Sequence, residues 1–284
     1  MNEIKSGSPF AGWLKEIAAR GASDLHLGAG RPPIARVDGE LLPLEPDILD
    51  SAKVEEICLS LTPEGRKKEL EELGGADFAF TFAGDRYRTS VFLQRGSYAL
   101  VCRRIPHNRL SFDEIGAPAV LRSLANLPRG LVLVTGPTGS GKTTTLAALV
   151  HEVNQTRACH IVTLEDPIEF FHESEKAVVN QREVGEDVAS FSEALRRVLR
   201  QDPDVIMLGE IRDLETTAAA ITAAETGHLV LGTLHTTGAA RTVDRIIDQF
   251  PREQQEQVRT QLSVSLQAVV SQVLGQSLIA FGLA

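Results

Sequence analysis

Residues 131–149, LVLVTGPTGSGKTTTLAAL, decide the fold. An apolar run breaks into a glycine-rich loop and resumes as a helix-forming stretch. Within it, Gly136-Pro137-Thr138-Gly139-Ser140-Gly141-Lys142-Thr143 fits G-x-x-x-x-G-K-[ST] at every fixed position, between a strand-like run and a helix-like one. Glycines in such a loop let backbone N–H groups turn inward on phosphates, and the following helix N-terminus adds positive potential. Lys142 then reaches the β/γ-phosphates, Thr143 offers a hydroxyl to magnesium, and Thr144 joins the nucleotide-binding set in the same first turn. A plain glycine turn before a core helix would not require Lys142 and Thr143.

Working outward, three more runs are nearly continuous in apolar residues: HIVTLED (160–166), DVIMLGE (204–210) and HLVLGTLH (228–235). Such runs suit strands buried on both faces of a parallel sheet, with helices between them. SFSEALRRVLRQ opens with a capping-box pattern, Ser190 with Glu193, and LETTAAAITAAET stops at Gly227, a C′ glycine. Each apolar run ends in a residue with chemistry to offer. In open α/β sheets ligands sit beyond the carboxyl ends of the strands, so the Gly136 loop, Glu165 with Asp166, Glu210, and His235 should converge. Glu210 is placed to act on a magnesium-bound water, or is a solvated carboxylate at a strand end. Glu165 is placed to orient or deprotonate an attacking water. Asp166-Pro167 reads equally as a turn initiator. His228 and His235 flank the last run, either touching a γ-phosphate, coupling it to a neighbouring subunit, or serving as ordinary structural histidines.

The first hundred residues are of another style. Pro9 to Arg20 is helix-like, DLHLGAG alternates as a strand, and RPPIARVDGELLPL reads as strand, Asp-Gly turn, strand. SAKVEEICLSL and TPEGRKKELEEL look helical, with Thr62 an N-cap ahead of Pro63. ADFAFTFAGDRYRTSVFLQRGSYALVCRRI alternates in three runs with GD and RG turns, which implies an α+β domain on an antiparallel sheet. Arg86, Arg88, Arg103 and Arg104 lie on these strands as solvent-facing residues or phosphate sensors. The expected domains are 1–106 and 119–284, joined by a linker at 107–118 within the Pro-bracketed PHNRLSFDEIGAP.

At 284 residues, two domains are the default. A formal net charge of -9 argues against nucleic acid as the main partner, because phosphate neutralisation needs a basic face. No apolar stretch approaches a membrane span, and MNEIKSGSPF lacks the apolar core of a secretory signal, so a cytoplasmic location is expected. Cys58, Cys102 and Cys159 have neither an even count nor C-x-x-C spacing, and read as inert thiols.

With these residues in view, the chain resembles the secretion ATPase superfamily that powers type IV pili and type II secretion, most closely its PilT-type pilus-retraction branch. The resemblance runs from about Phe10 to about Gln272. It rests on GASDLHLGAGRPPIARVDG, on GLVLVTGPTGSGKTTTLAAL, and on the aspartate box TLEDPIEF. It extends through NQREVGEDVASFSEALRRVLRQDPDVIMLGEIRD, which holds the Walker B element, to the histidine box ETGHLVLGTLHTTGAARTVDRIID. NQREVG resembles the retraction signature, and the chain shows neither the long N-terminal extension nor the four-cysteine zinc motif usual in extension and secretion members.

The resemblance implies a PAS-like first domain and a RecA-like second domain with a mainly parallel sheet, assembled as a homo-hexamer that hydrolyses ATP with Mg2+ to withdraw pilin subunits. It implies a place at the inner membrane, against the pilus platform protein and beside other pilus ATPases. It assigns Lys142 and Thr143 to phosphate and magnesium, Glu165 to activating water, Glu210 to the Walker B carboxylate, and His228 and His235 to the histidine box. It also brings Arg88 and Arg103 to nucleotide at a subunit interface. The family's AIRN-containing helical region is expected to be missing after about Gln272. An accessory retraction ATPase, a type II secretion ATPase and a nonhydrolysing nucleotide-binding module remain alternative readings.

Overall fold

Alternating apolar and polar residues in the first hundred positions build a sheet with one covered face. The computed structural model describes residues 4, 7–105 and 111–273 and the backbone of 276–280, and divides into two units, Met1–Asn108 and Arg109–Ala284. The first unit runs α1 (Pro9–Ala19), β1 (Asp24–Gly28), β2 (Ile34–Val37), β3 (Glu40–Pro43), α2 (Ser51–Leu61), α3 (Glu64–Leu73), β4 (Gly75–Phe82), β5 (Asp85–Gln94), β6 (Ser97–Ile105). Its strands form one antiparallel sheet in the order β3-β2-β1-β6-β5-β4. Leu25, Leu27, Tyr87, Val91 and Leu100 bury against Trp13, Leu14 and Ile17 of α1 and Val54 and Cys58 of α2. The Asp38-Gly39 turn has positive φ at both residues, 48° and 89°, as a type I′ hairpin requires.

One local reading is corrected here. Thr62 does not cap α3: its hydroxyl donates to the Cys58 carbonyl at 2.7 Å and closes α2, while α3 starts after Pro63 without a side-chain cap. With so few residues between the helices, the hydroxyl serves the carbonyl behind it. The expected linker at 107–118 is described only from Ser111 onward. Residues 106–110 lie outside the described residues, but Phe112 is buried in the core of the second unit with Ile115 and Ala117 packed beside it.

The second unit runs α4 (Ala119–Leu124), β7 (Gly130–Thr135), α5 (Lys142–Thr156), β8 (His160–Glu165), β9 (Val178–Glu183), α6 (Phe191–Val198), β10 (Val205–Leu208), α7 (Leu214–Glu225), β11 (Leu229–Leu234), α8 (Ala239–Asp248), α9 (Arg252–Ser265), β12 (Leu266–Val273), β13 (Gln276–Ala280). The sheet order is β13-β12-β7-β11-β10-β8-β9, parallel throughout except for β13 against β12. The four strands read from apolar runs are therefore contiguous. Each buries both faces: Leu131 and Leu133 of β7 enter a core with α6 and α7, while Val132 and Val134 enter one with α5. The chain is thus an antiparallel α+β unit followed by a P-loop unit with a mainly parallel sheet, the fold class implied by the sequence.

Candidate functional site

The parallel register aligns the strand ends. Leu234 lies opposite Thr135, and Leu208 opposite both Leu164 and Gly232, so the loops leaving β7, β8, β10 and β11 emerge along one edge. Beyond β7, Gly136 is buried while Pro137, Thr138 and Gly139 form an exposed crest, before the chain turns inward at buried Ser140. Gly141 adopts φ 85° as the N-cap of α5, and no side chain caps that helix. Its first-turn N–H groups are therefore offered to a ligand. Lys142 is 7% exposed, and its ammonium donates to the carbonyls of Gly136 at 2.9 Å and Pro137 at 3.0 Å. Burial lowers its pKa, against the opposing pull of the Glu210 and Glu169 carboxylates. Thr143 and Thr144 are half-buried in the first turn of α5.

Glu210 follows β10 in a segment clamped to both neighbouring strands. Gly209 N–H donates to the Leu164 carbonyl, Ile211 N–H to the Thr233 carbonyl, and the Thr233 hydroxyl to the Gly209 carbonyl at 2.6 Å. This fixes the Glu210 carboxylate, whose Oε1 meets Arg212 Nε at 2.5 Å and His235 Nε2 at 3.1 Å. Burial pushes the Glu210 pKa up, but the hydrogen bond from Arg212 and the charges of His235 and Arg212 outweigh it, and the net shift is downward. Glu210 is an ionised oxygen donor beside the P-loop lysine.

Glu165 ends β8 and is nearly inaccessible. Its Oε1 accepts from the Thr163 hydroxyl at 2.7 Å and Gln181 Nε2 at 3.1 Å. Burial dominates over these bonds and pushes its pKa up to about 7. A carboxylate poised near neutrality suits general base chemistry. Glu169, four residues on, acts electrostatically on both Glu165 and Lys142 and so belongs to the same site. Neither Glu169 nor Arg212 carries a motif signal of its own, although GEIRD places an arginine two residues after Glu210.

His235 thus joins the constellation and His228 does not. His228 precedes β11 at the amino edge of the sheet, where its Nδ1 lies 2.9 Å from the Ala223 carbonyl. The six residues of β11 separate the two histidines, a span of about 20 Å. In the first unit, Arg88 and Arg103 are directly opposed cross-strand neighbours, both exposed. Buried Asp24 accepts from Arg103 Nε at 2.9 Å and lies 3.8 Å from Arg36 Nε.

The chain matches the type II/IV secretion system protein family over residues 97–281. It belongs to that family. Among members of this secretion family, it is 52% identical to the type IV pilus retraction ATPase PilT of Pseudomonas aeruginosa, over 90% of this chain and 75% of that protein. It is 48% identical to a twitching motility protein of Neisseria gonorrhoeae, over 85% of this chain and 65% of that one. The crystal structure of the pilus retraction motor PilT with bound ADP superposes with a TM-score of 0.90 at 47% identity, covering 98% of this chain and 82% of that one. Among the described residues no helix is long and apolar enough to cross a membrane.

Proposed function

We propose that this chain is an ATP-hydrolysing motor of the type IV pilus machinery that drives pilus retraction and twitching motility. The observation that carries it is the meeting of Lys142, Glu210, Glu169, Glu165 and His235 along one sheet edge, in a chain 52% identical to a pilus retraction ATPase. The P-loop from Gly136 to Thr144 binds the phosphates, with Lys142 turning from loop carbonyls to the β/γ-phosphates. The Thr143 hydroxyl and the ionised Glu210 carboxylate are hard oxygen donors of the kind magnesium takes, so the residues present fit that ion. When bound, magnesium neutralises charge on the phosphates.

Glu165 accepts the proton of the attacking water, and His235, bonded to Glu210, senses the γ-phosphate side of the site. Arg88 and Arg103, on the PAS-like first domain, reach nucleotide bound by a neighbouring subunit in a homo-hexamer. The ring works in the cytoplasm, peripherally on the inner membrane, against the pilus platform protein and beside other pilus ATPases.

Magnesium-dependent ATP hydrolysis by the purified chain tests the reading. Lys142→Ala is expected to abolish nucleotide binding. Glu210→Gln is expected to bind nucleotide and turn over at least 100-fold more slowly, a typical scale for losing transition-state stabilisation. Wild-type hydrolysis in either variant would refute the site.

A further inference from the structure

NQREVG is left without a task by the catalytic reading. Its residues Gln181 and Glu183 lie on β9, the edge strand beside β8, with Gln181 opposite Thr163 and Glu183 opposite Glu165. Strand alternation puts Thr163, Glu165, Gln181 and Glu183 on one face. From there β9 reaches the segment that follows the base: Glu183 Oε2 accepts from Ile168 N–H at 3.2 Å, and Gln181 holds three groups at once. Gln181 Oε1 accepts from His172 N–H at 2.8 Å, while its Nε2 donates to the Phe170 carbonyl at 2.8 Å and to Glu165 Oε1 at 3.1 Å.

Two backbone groups therefore fix which way the amide faces. Turning it over would set N–H against N–H at His172 and oxygen against oxygen at Phe170. The amide is locked as a donor to Glu165. Because the Thr163 hydroxyl donates to the same Oε1, that oxygen is fully engaged. Oε2 meets only the Glu169 N–H, at 3.4 Å, among the described residues.

We propose that Gln181, together with Thr163, is a positioning residue that pins one oxygen of Glu165 and leaves the other to take the proton of the attacking water. Through Gln181, NQREVG thus clamps the catalytic base. This rests on Glu165 being that base. Both donors also favour the ionised carboxylate, opposing the effect of burial. Loss of either raises the pH at which the base becomes competent.

The test is the pH profile of ATP turnover by the full chain carrying Gln181→Met or Thr163→Val. Both keep the volume and remove one donor to Glu165; Gln181→Met also removes the bonds to the Phe170 carbonyl and His172 N–H, so Thr163→Val, with valine suited to a buried strand, is the cleaner variant. The acid limb of kcat is expected to move up by about one unit, giving a roughly ten-fold loss on the acid side. KM and ADP affinity should stay unchanged. A uniform loss at all pH values, or a wild-type profile in Thr163→Val or Gln181→Met while Glu165→Gln is inactive, overturns the clamp alone. Normal turnover in Glu165→Gln overturns the base assignment and the clamp with it.

Discussion

Glu165 is a carboxylate in a place that disfavours its charge, and the consequence is measurable without any substrate. Its folded-state pKa, about 7, lies above that of an unfolded glutamate. A raised carboxyl pKa contributes stability that is fully present below the unfolded value and is lost as pH rises through the folded one. Glu165→Gln should therefore stabilise the protein by about 3 kcal/mol at pH 8 and by almost nothing near pH 4. Thermal unfolding at the two pH values checks this. A variant less stable at pH 8 would show that the ionised side chain is well solvated. Gly136 makes the opposite case. A Cβ there would collide with the Gln272 carbonyl of β12 and approach Ser140 Oγ at 2.6 Å. Gly136→Ala must displace the first residue of the P-loop, and a cost of about 2 kcal/mol in nucleotide binding corresponds to a roughly 30-fold weaker Kd.

At the level of elements, legibility followed burial. β7, β8, β10 and β11 stood out because both faces are covered and nearly every residue is apolar, and their ends named Lys142, Glu165, Glu210 and His235. β9 is not legible as a strand because its inward positions, Gln181 and Glu183, are polar: they serve the site, not the core. β12 was hidden for another reason. LQAVVSQV follows helical QVRTQLSVS without a glycine or proline, so only its parallel pairing with β7 ends the helix. His228 and His235 look equivalent in sequence because they flank one strand, but the six residues of β11 set them at opposite edges of the sheet.

Helix starts were more readable. Ser190 accepts from Glu193 N–H at 3.3 Å, although Glu193 turns to Arg197 instead of completing the box. Asp213 does more for α7, accepting from Thr216 N–H at 2.7 Å and from its hydroxyl at 2.8 Å. Asp213→Ala should cost about 1–2 kcal/mol of stability in denaturant titration. The P-loop is untouched by this change, so ADP affinity should hold.

The whole molecule raises the question of where Arg88 acts. Its strand pairs it with Arg103, two like charges side by side, and like charges directly opposed are unfavourable unless something answers them. Asp24 answers Arg103. Arg88 is exposed, and no ion pair to it is seen among the described residues, so Arg88→Ala should leave stability within about 0.5 kcal/mol. If Arg88 completes the site of a neighbouring subunit, the same change should stop turnover in the assembled ring while each chain still binds ADP.

Mixing separates this from an effect within one chain. Lys142→Ala subunits cannot bind the phosphates but carry Arg88, and Arg88→Ala subunits bind them but lack the arginine. In a head-to-tail ring, each protomer's patch meets a different patch on the next. Random equimolar mixing of the two inactive variants should then restore turnover to about a quarter of the wild-type rate, since half the sites hold Lys142 and half of those neighbour an intact Arg88. Turnover that stays at the level of the separate variants, in rings shown to contain both chains, would mean that Arg88 does not act across subunits.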